Sequence, residues 1–443
     1  MLCQTPPMPD AATSSLARFA TGIEHVVTVV LRGSTPPDSP WNAVRLTIVW
    51  LLTRLAVMVL MSITGAVVND VNYFANVTTG HAPPGDPGTL REYPVPAVWW
   101  LTIPAVLAGG DITAYGSWFV FLLLAVDGLF LVAVQRFGTP RAVTAWLCAA
   151  PFLGPMLLLR FDLVTGAAVA VALLLVVPKP KLAALLLVTA TAVKLWPAAL
   201  VGIVAAASPR RRTFVFVTIA SSAVLVAVVL AAYGGERFLS PLRYQSQRGI
   251  QVESLLAVPF MVLWALHIDG FDVTFGTSLS WEIGGPGTGA ALALSTLATP
   301  AAGAWTLWMS ASLWRRPRRP DLLTAVAWAT LSAACLLILS SKVFSPQYLA
   351  WLLPVVVVVV AVTGERSART CAYLTLTAAL AAQVLYPWAY GWIIVPGHWA
   401  ANLAAVALAG VRLALVGAVA WIATARALDL LATEAASTIE QPG

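Results

Sequence analysis

The sequence predicts an all-α, polytopic transmembrane helical bundle, and three observations carry that prediction. First, 59% of the 443 residues are hydrophobic and only 10% are charged, with a mean hydropathy of +0.84. A soluble globule of this length cannot hide so much apolar surface. Second, apolar runs of about twenty residues, enough to cross a bilayer, recur along the chain. Third, basic loops alternate with loops poor in Lys and Arg, as retention of positive charge on the cytoplasmic side requires. The net charge of +7 is read in the same way, as an orientation signal and not as a nucleic-acid surface.

Taken in order, residues 1–43 are expected to form a cytoplasmic tail with an amphipathic patch at 22–32, because no apolar core followed by a small-residue cleavage site marks a leader. Spans are expected at 44–66, 117–134, 142–159, 162–178, 213–233, 288–312, 321–340, 349–363, 371–391 and 400–424. Residues 44–425 then form one membrane domain, and 426–443 a cytoplasmic tail. The segment 181–207 is interrupted by Lys194, Leu195, Trp196 and Pro197 and is basic at both ends, so it reads as two half-length helices that dip in and return. The apolar stretch 254–268 would break the alternation if it crossed, and it is assigned as re-entrant or lying on the outer surface.

From a cytoplasmic N-terminus, the basic clusters at Arg136 and Arg141, Lys179 and Lys181, Arg210 to Arg212, Arg315 to Arg319, and Glu365 to Arg369 fall inside. The same count puts 67–115, 160–162, 234–287, 340–348 and 392–399 outside. The outer loops are long and rich in Trp, Tyr, Pro and Gly. Loops of that kind carry function in such proteins, although interfacial aromatic belts account for part of the composition. The four cysteines show no CxxC spacing and the four histidines are scattered singly, so neither a disulfide framework nor a metal centre is implied. No Gly-rich strand-to-helix turn or P-loop is present, which argues against a nucleotide donor.

Polar groups that are expensive near a membrane collect on the outer side. Asp70 opens the first outer loop, Arg160 and Asp162 flank a sharp turn, Arg243, Arg248 and Glu253 lie in RYQSQRGIQVES, and Lys342 lies in SSKVFSPQYLAW. Transfer of a sugar from a lipid phosphate fits them: it needs a base for the acceptor hydroxyl and cations to hold the departing phosphate. Asp70 is the candidate base. Arg248 and Lys342, with Arg243 and Arg160 as helpers, are candidate phosphate ligands, the guanidinium by its bidentate fork and the ammonium as a point charge. Tyr73, Tyr93, Tyr244 and Tyr348 are candidates to line the sugar or acceptor site, with Asp162, Glu253 and Gln347 beside them. Simpler readings stand next to these. Asp70 could cap a helix, Arg160 and Asp162 could pair with each other, and Arg248 and Lys342 could anchor the interface. Asp127, Arg54 and Arg412 lie mid-span and are expected to pair inside the bundle or snorkel.

The order of short motifs along the chain resembles glycosyltransferase family 87, the polyprenol-phosphate-mannose-dependent mannosyltransferases of actinobacteria within the GT-C superfamily. The resemblance rests on Asp70 followed by Tyr73, on Tyr93, Pro94, Val95 and Pro96, on Arg160, Phe161 and Asp162, on Lys194 to Pro197, on the RGIQVES stretch, and on Ser345, Pro346, Gln347 and Tyr348. It implies a GT-C bundle with short re-entrant helices and extracytoplasmic loops over a lipid-accessible cavity in the plasma membrane. It also implies an inverting hexosyl transfer, with Asp70 as base, from a polyprenyl-phosphate sugar such as decaprenyl-phosphomannose to a cell-envelope glycolipid or lipoglycan. Asn69 stands where many GT-C enzymes carry a second acid, which argues against a loop-bound divalent metal, and no cofactor is implied. The alternatives are arabinofuranosyl transfer from decaprenyl-phosphoarabinose, and a lipid-linked sugar flippase or transporter. A transporter would more often show internal repeats, and none is evident.

Overall fold

A computed structural model of the chain describes residues 40–64, 69–81, 90–276, 278–316 and 321–439. The expected amphipathic patch at 22–32 and most of the N-terminal tail lie outside the described residues. Among the described residues, seven helices are long and apolar enough to cross a membrane. They belong to α1 (Pro40–Thr64), α4 (Ile112–Phe137), α9 (Arg211–Gln247), α11 (Thr288–Trp314), α12 (Asp321–Ser340), α13 (Leu349–Thr363) and α16 (Trp399–Ile439). Between them lie shorter helices: α2 (Asn69–Thr78), α3 (Val95–Leu107), α5 (Pro140–Leu153), α6 (Asp162–Leu175), α7 (Pro180–Val193), α8 (Val201–Ala207), α10 (Val258–Ala265), α14 (Arg366–Gln383) and α15 (Gly391–Ile394).

The centre of the bundle is α12 and α13, whose side chains are buried on nearly every side. The valine run 355–360 in α13 offers no polar group and packs against α6, α12 and α14. Gly166 of α6 faces the carbonyl of Ala350, where an added Cβ would collide, so α6 and α13 meet backbone to backbone. Helices α1 and α9 bury only a narrow stripe, leaving side chains such as Leu52, Phe216 and Ile219 exposed on faces suited to lipid.

Three expected spans are not among these seven helices. Helices α5 and α6 have 14 residues each and α14 has 18. Helix α5 gives way to a tight turn at Gly154–Leu157, Gly154 taking a left-handed φ of 55° that favours glycine, and the chain reaches Arg160 before α6 begins. Because neighbouring helices enclose α5, α6 and α14, these helices need not match the full hydrocarbon thickness. The broken segment is the hairpin the sequence predicts: α7 ends at Lys194, a tight turn spans Trp196–Leu200, and α8 returns. Stretch 254–268 holds a single 3-10 turn at Leu255–Ala257 followed by α10, eight residues packed on α16.

The all-α bundle is as the sequence predicts, and three local features add to it. One short antiparallel hairpin is present, β1 (Asp272–Phe275) with β2 (Trp281–Gly284), with Asp272 opposite Gly284. The outer segment that follows the span at 213–233 is not loop at its start, because α9 kinks at Gly234 (φ 76°, ψ 169°) and continues to Gln247. Helix α16 runs past the expected end of the membrane domain at 425, to Ile439, and Arg426 pairs with Glu365 at 2.9 Å. Contacts among the basic turns gather them at one end of the bundle: Lys179 sits over Phe137, Arg211 donates to the Trp314 carbonyl, and Arg426 meets Glu365.

The mid-span charges pair as expected. Arg54 on α1 meets both carboxylate oxygens of Asp127 on α4, at 2.6 and 2.8 Å, and the indoles of Trp50 and Trp146 donate to the same carboxylate. Both ions are fully buried, at 2% and 0% exposure. Removing one partner strands the other, so Asp127→Ala is expected to destabilise the bundle by about 3–5 kcal/mol. The double variant Arg54→Met with Asp127→Leu is expected to recover most of that loss, as read by thermal unfolding in detergent micelles.

Candidate functional site

At the end of the bundle away from the basic turns lies a cavity of about 490 Å³, within the roughly 300–1,000 Å³ common for small-molecule sites. Five stretches far apart in sequence form its wall: the start of α2 with the chain before α3, the α5–α6 turn, the C-terminal end of α9 with the extended residues after it, the β hairpin, and the turn into α13. Tyr386 and Tyr390 complete it.

Asp70 occupies the first turn of α2, where unpaired backbone N–H groups favour an anion. Its carboxylate lies 3.0 Å from Nε of Arg160, and the same Nε lies 2.9 Å from Oε1 of Gln347. The pair is asymmetric. Arg160 is 7% exposed and Asp70 is 38% exposed, so the acid, and not its partner, is the open member. On another wall the Arg248 guanidinium lies over the Tyr244 ring, 5.4 Å from its centre, and donates to the Ser278 carbonyl at 3.1 Å. Nε of Arg248 and Oη of Tyr244 are buried with no hydrogen-bond partner among the described residues. Unsatisfied donors of this kind at a cavity are positioned for a ligand oxygen.

The acid wall opposite is set by residues 90–93. Arg237 on α9 donates to the carbonyls of Tyr93 and Leu90 at 3.1 and 3.0 Å, and Ser240 donates to the carbonyl of Arg91. The loop so fixed presents Glu92, which accepts from Tyr73 Oη at 2.9 Å, while Leu90 N donates to the same hydroxyl at 3.1 Å. Burial raises the Glu92 carboxyl above the usual range, against the lowering effect of the Tyr73 hydrogen bond and of Arg248. Burial, with Glu92 adding to it, raises the Tyr73 phenol as well. Tyr93 packs edge-on against Phe161 at 5.1 Å between ring centres.

The structure therefore brings Asp70, Tyr73, Tyr93, Arg160, Tyr244, Arg248, Glu253, Gln347 and Tyr348 to one cavity. Arg243 is not among its lining residues and is exposed. Lys342 also lies outside the cavity wall: its ammonium donates to the carbonyls of Arg248 and Ser246, at 2.7 and 3.3 Å, and so holds the backbone beside Arg248. Asp162 does not pair with Arg160 and does not line the cavity. It is buried, 2.5 Å from Nζ of Lys194 and 2.6 Å from Nε1 of Trp351, which locks the hairpin tip to α6 and α13. Glu253 lines the cavity, but its carboxylate is held by Arg412 at 2.8 Å and Gln251 at 3.1 Å, and burial raises it.

Sequence reasoning missed Glu92, Gln251, Tyr386, Tyr390 and the hairpin residues Ser278, Ser280 and Trp281. Glu92 had a signal, since it directly precedes the Tyr93–Pro94 pair, and Tyr386–Pro387 repeats that dipeptide. Among the described residues, no three His, Cys, Asp or Glu side chains converge as a metal-binding group. No protein-family model, curated protein or solved structure matches the chain.

Glu92 carries a pH signature. A carboxyl whose pKa is higher in the folded state stabilises the fold through its neutral form. That contribution is complete below the ordinary carboxylate range and is lost as pH rises through the raised folded value. Over that window the melting temperature of the native protein is expected to fall relative to that of Glu92→Gln. Parallel melting profiles for the two proteins would count against a buried neutral Glu92.

Proposed function

We propose that this chain is an inverting membrane glycosyltransferase acting on the extracytoplasmic face of the plasma membrane. The donor is a polyprenyl-phosphate sugar carrying mannose or a related hexose, and the acceptor is a hydroxyl of a cell-envelope glycolipid or lipoglycan. The reading is supported by one cavity at the end of a multi-pass bundle in which a partly exposed carboxylate, Asp70, shares the lining with a guanidinium, Arg248, that has an N–H to offer.

The chemistry follows from those groups. The acceptor oxygen attacks the anomeric carbon as its proton passes to Asp70, and the bond from that carbon to the phosphate oxygen breaks on the opposite face. The donor carries one negative charge and the departing polyprenyl phosphate carries two, so stabilisation must grow as the bond lengthens. Arg248 supplies it, because a fixed cation in a low-dielectric site acts most strongly where charge develops. Arg160 aims the Asp70 carboxylate from 3.0 Å, and Gln347 keeps Arg160 in place. The tyrosine rings offer flat faces for a sugar and hydroxyls for its substituents.

The test is purified protein in lipid, given labelled decaprenyl-phosphomannose or decaprenyl-phosphoarabinose and a panel of envelope glycolipids. Asp70→Asn is expected to cut turnover by a factor of about 100 to 10,000 with the protein still folded. Arg248→Gln is expected to weaken use of the donor more than of the acceptor. Substantial turnover by Asp70→Asn would remove it as the base. Use of the arabinose donor alone would change the sugar, and movement of labelled donor between leaflets without transfer would favour a flippase.

A further inference from the structure

A second feature lies at the basic end of the bundle, outside the cavity described above. There α5 and α14, both packed on α13, leave a slot of about 60 Å³ between them. Ala145 and Phe152 on α5 and Ala372 and Leu376 on α14 form apolar walls, and Arg141 and Arg369 stand among its lining residues at the basic ends of the same helices. From Ala145 to Phe152 the slot follows α5 for about 10 Å. The alanines open it, since larger side chains at either position would fill it.

The two arginines are the anomaly. Among the described residues neither guanidinium is in an ion pair, and Nε of Arg369 is buried without a hydrogen-bond partner. The nearby acid, Glu365, is already engaged by Arg426 at 2.9 Å. A pair of uncompensated cations beside an apolar slot, at the depth where a helix leaves the bilayer, calls for a ligand that is anionic at one end and hydrocarbon at the other. Guanidinium groups match phosphate oxygens by paired N–H donation, and the narrow slot accepts part of one hydrocarbon chain while the remainder stays in the bilayer.

We infer that this slot binds an anionic phospholipid, its phosphate between Arg141 and Arg369 and one acyl chain between α5 and α14. The site does not depend on the transferase reading. It is tested by native mass spectrometry of the detergent-solubilised full chain, titrated with phosphatidylglycerol, phosphatidylcholine or glycerol phosphate. The native protein is expected to retain phosphatidylglycerol in preference to phosphatidylcholine, with no displacement by glycerol phosphate. The double variant Arg141→Gln with Arg369→Gln is expected to weaken retention about thirtyfold, a factor of about five for each charge removed near the membrane surface. Ala145→Leu keeps both charges and fills the slot, and it is expected to weaken phosphatidylglycerol retention as well. Melting temperatures check that each variant is folded. Unchanged retention in folded Gln variants would overturn the phosphate contact, and unchanged retention in Ala145→Leu would overturn the acyl slot. Full displacement by glycerol phosphate would reduce the site to a free-phosphate site.

Discussion

The contact between Arg160 and Asp70 joins α2 to the α5–α6 turn, and through Gln347 to the turn that enters α13. A guanidinium almost wholly buried at the end of a membrane bundle requires an anion, so the position of Asp70 is dictated by the needs of Arg160 as much as by its own helix. The requirement runs in one direction only. Arg160 is enclosed, while the carboxylate retains access to the cavity, and that imbalance turns a packing constraint into a candidate reactive group.

Around this pair, the remaining charges act mostly as scaffolding. Asp162 with Lys194 fixes the tip of the broken hairpin, and Glu253 with Arg412 fixes the extended segment that follows α9. That segment is shaped further by backbone bonds: Gln251 N donates to the Lys342 carbonyl, Val252 N to the Trp281 carbonyl, and Ile283 N to the Ile250 carbonyl. It therefore runs beside β2 like a short additional strand, and the Gln251 side chain accepts from Phe344 N on its other flank. Arg248 stands at the start of this braced segment, with Lys342 gripping its carbonyl. Its guanidinium is thus presented from a backbone held on both sides.

The bundle and its polar end were legible in the sequence because hydropathy and loop charge are local properties that survive without knowledge of neighbours. Asp70, Arg160, Arg248 and Tyr93 were legible for a related reason, since each is a costly polar group next to an apolar run. Pairing was not legible. Arg160 and Asp162, two residues apart, looked like partners, yet Arg160 turns to Asp70 and Gln347 while Asp162 turns to Lys194 and Trp351. Lys342 looked like a phosphate ligand because its charge is visible in the sequence, whereas the carbonyls that absorb it are not. The β hairpin escaped because four-residue strands leave too short an alternation to stand out from a Gly- and Ser-rich loop.

Helix α9 joins two surroundings across the bend at Gly234. Before the bend its side chains are exposed on a lipid-facing surface; after it, Arg237 and Ser240 grip the loop that carries Glu92, and the chain goes on to Arg248. The two halves thus meet different media, hydrocarbon before the bend and the rim of the chamber after it. A mismatch between the apolar half and the surrounding hydrocarbon is relieved by tilt of that half. The bend at Gly234 stands between it and the wall that carries Glu92 and Arg248, where the backbone leaves helical geometry.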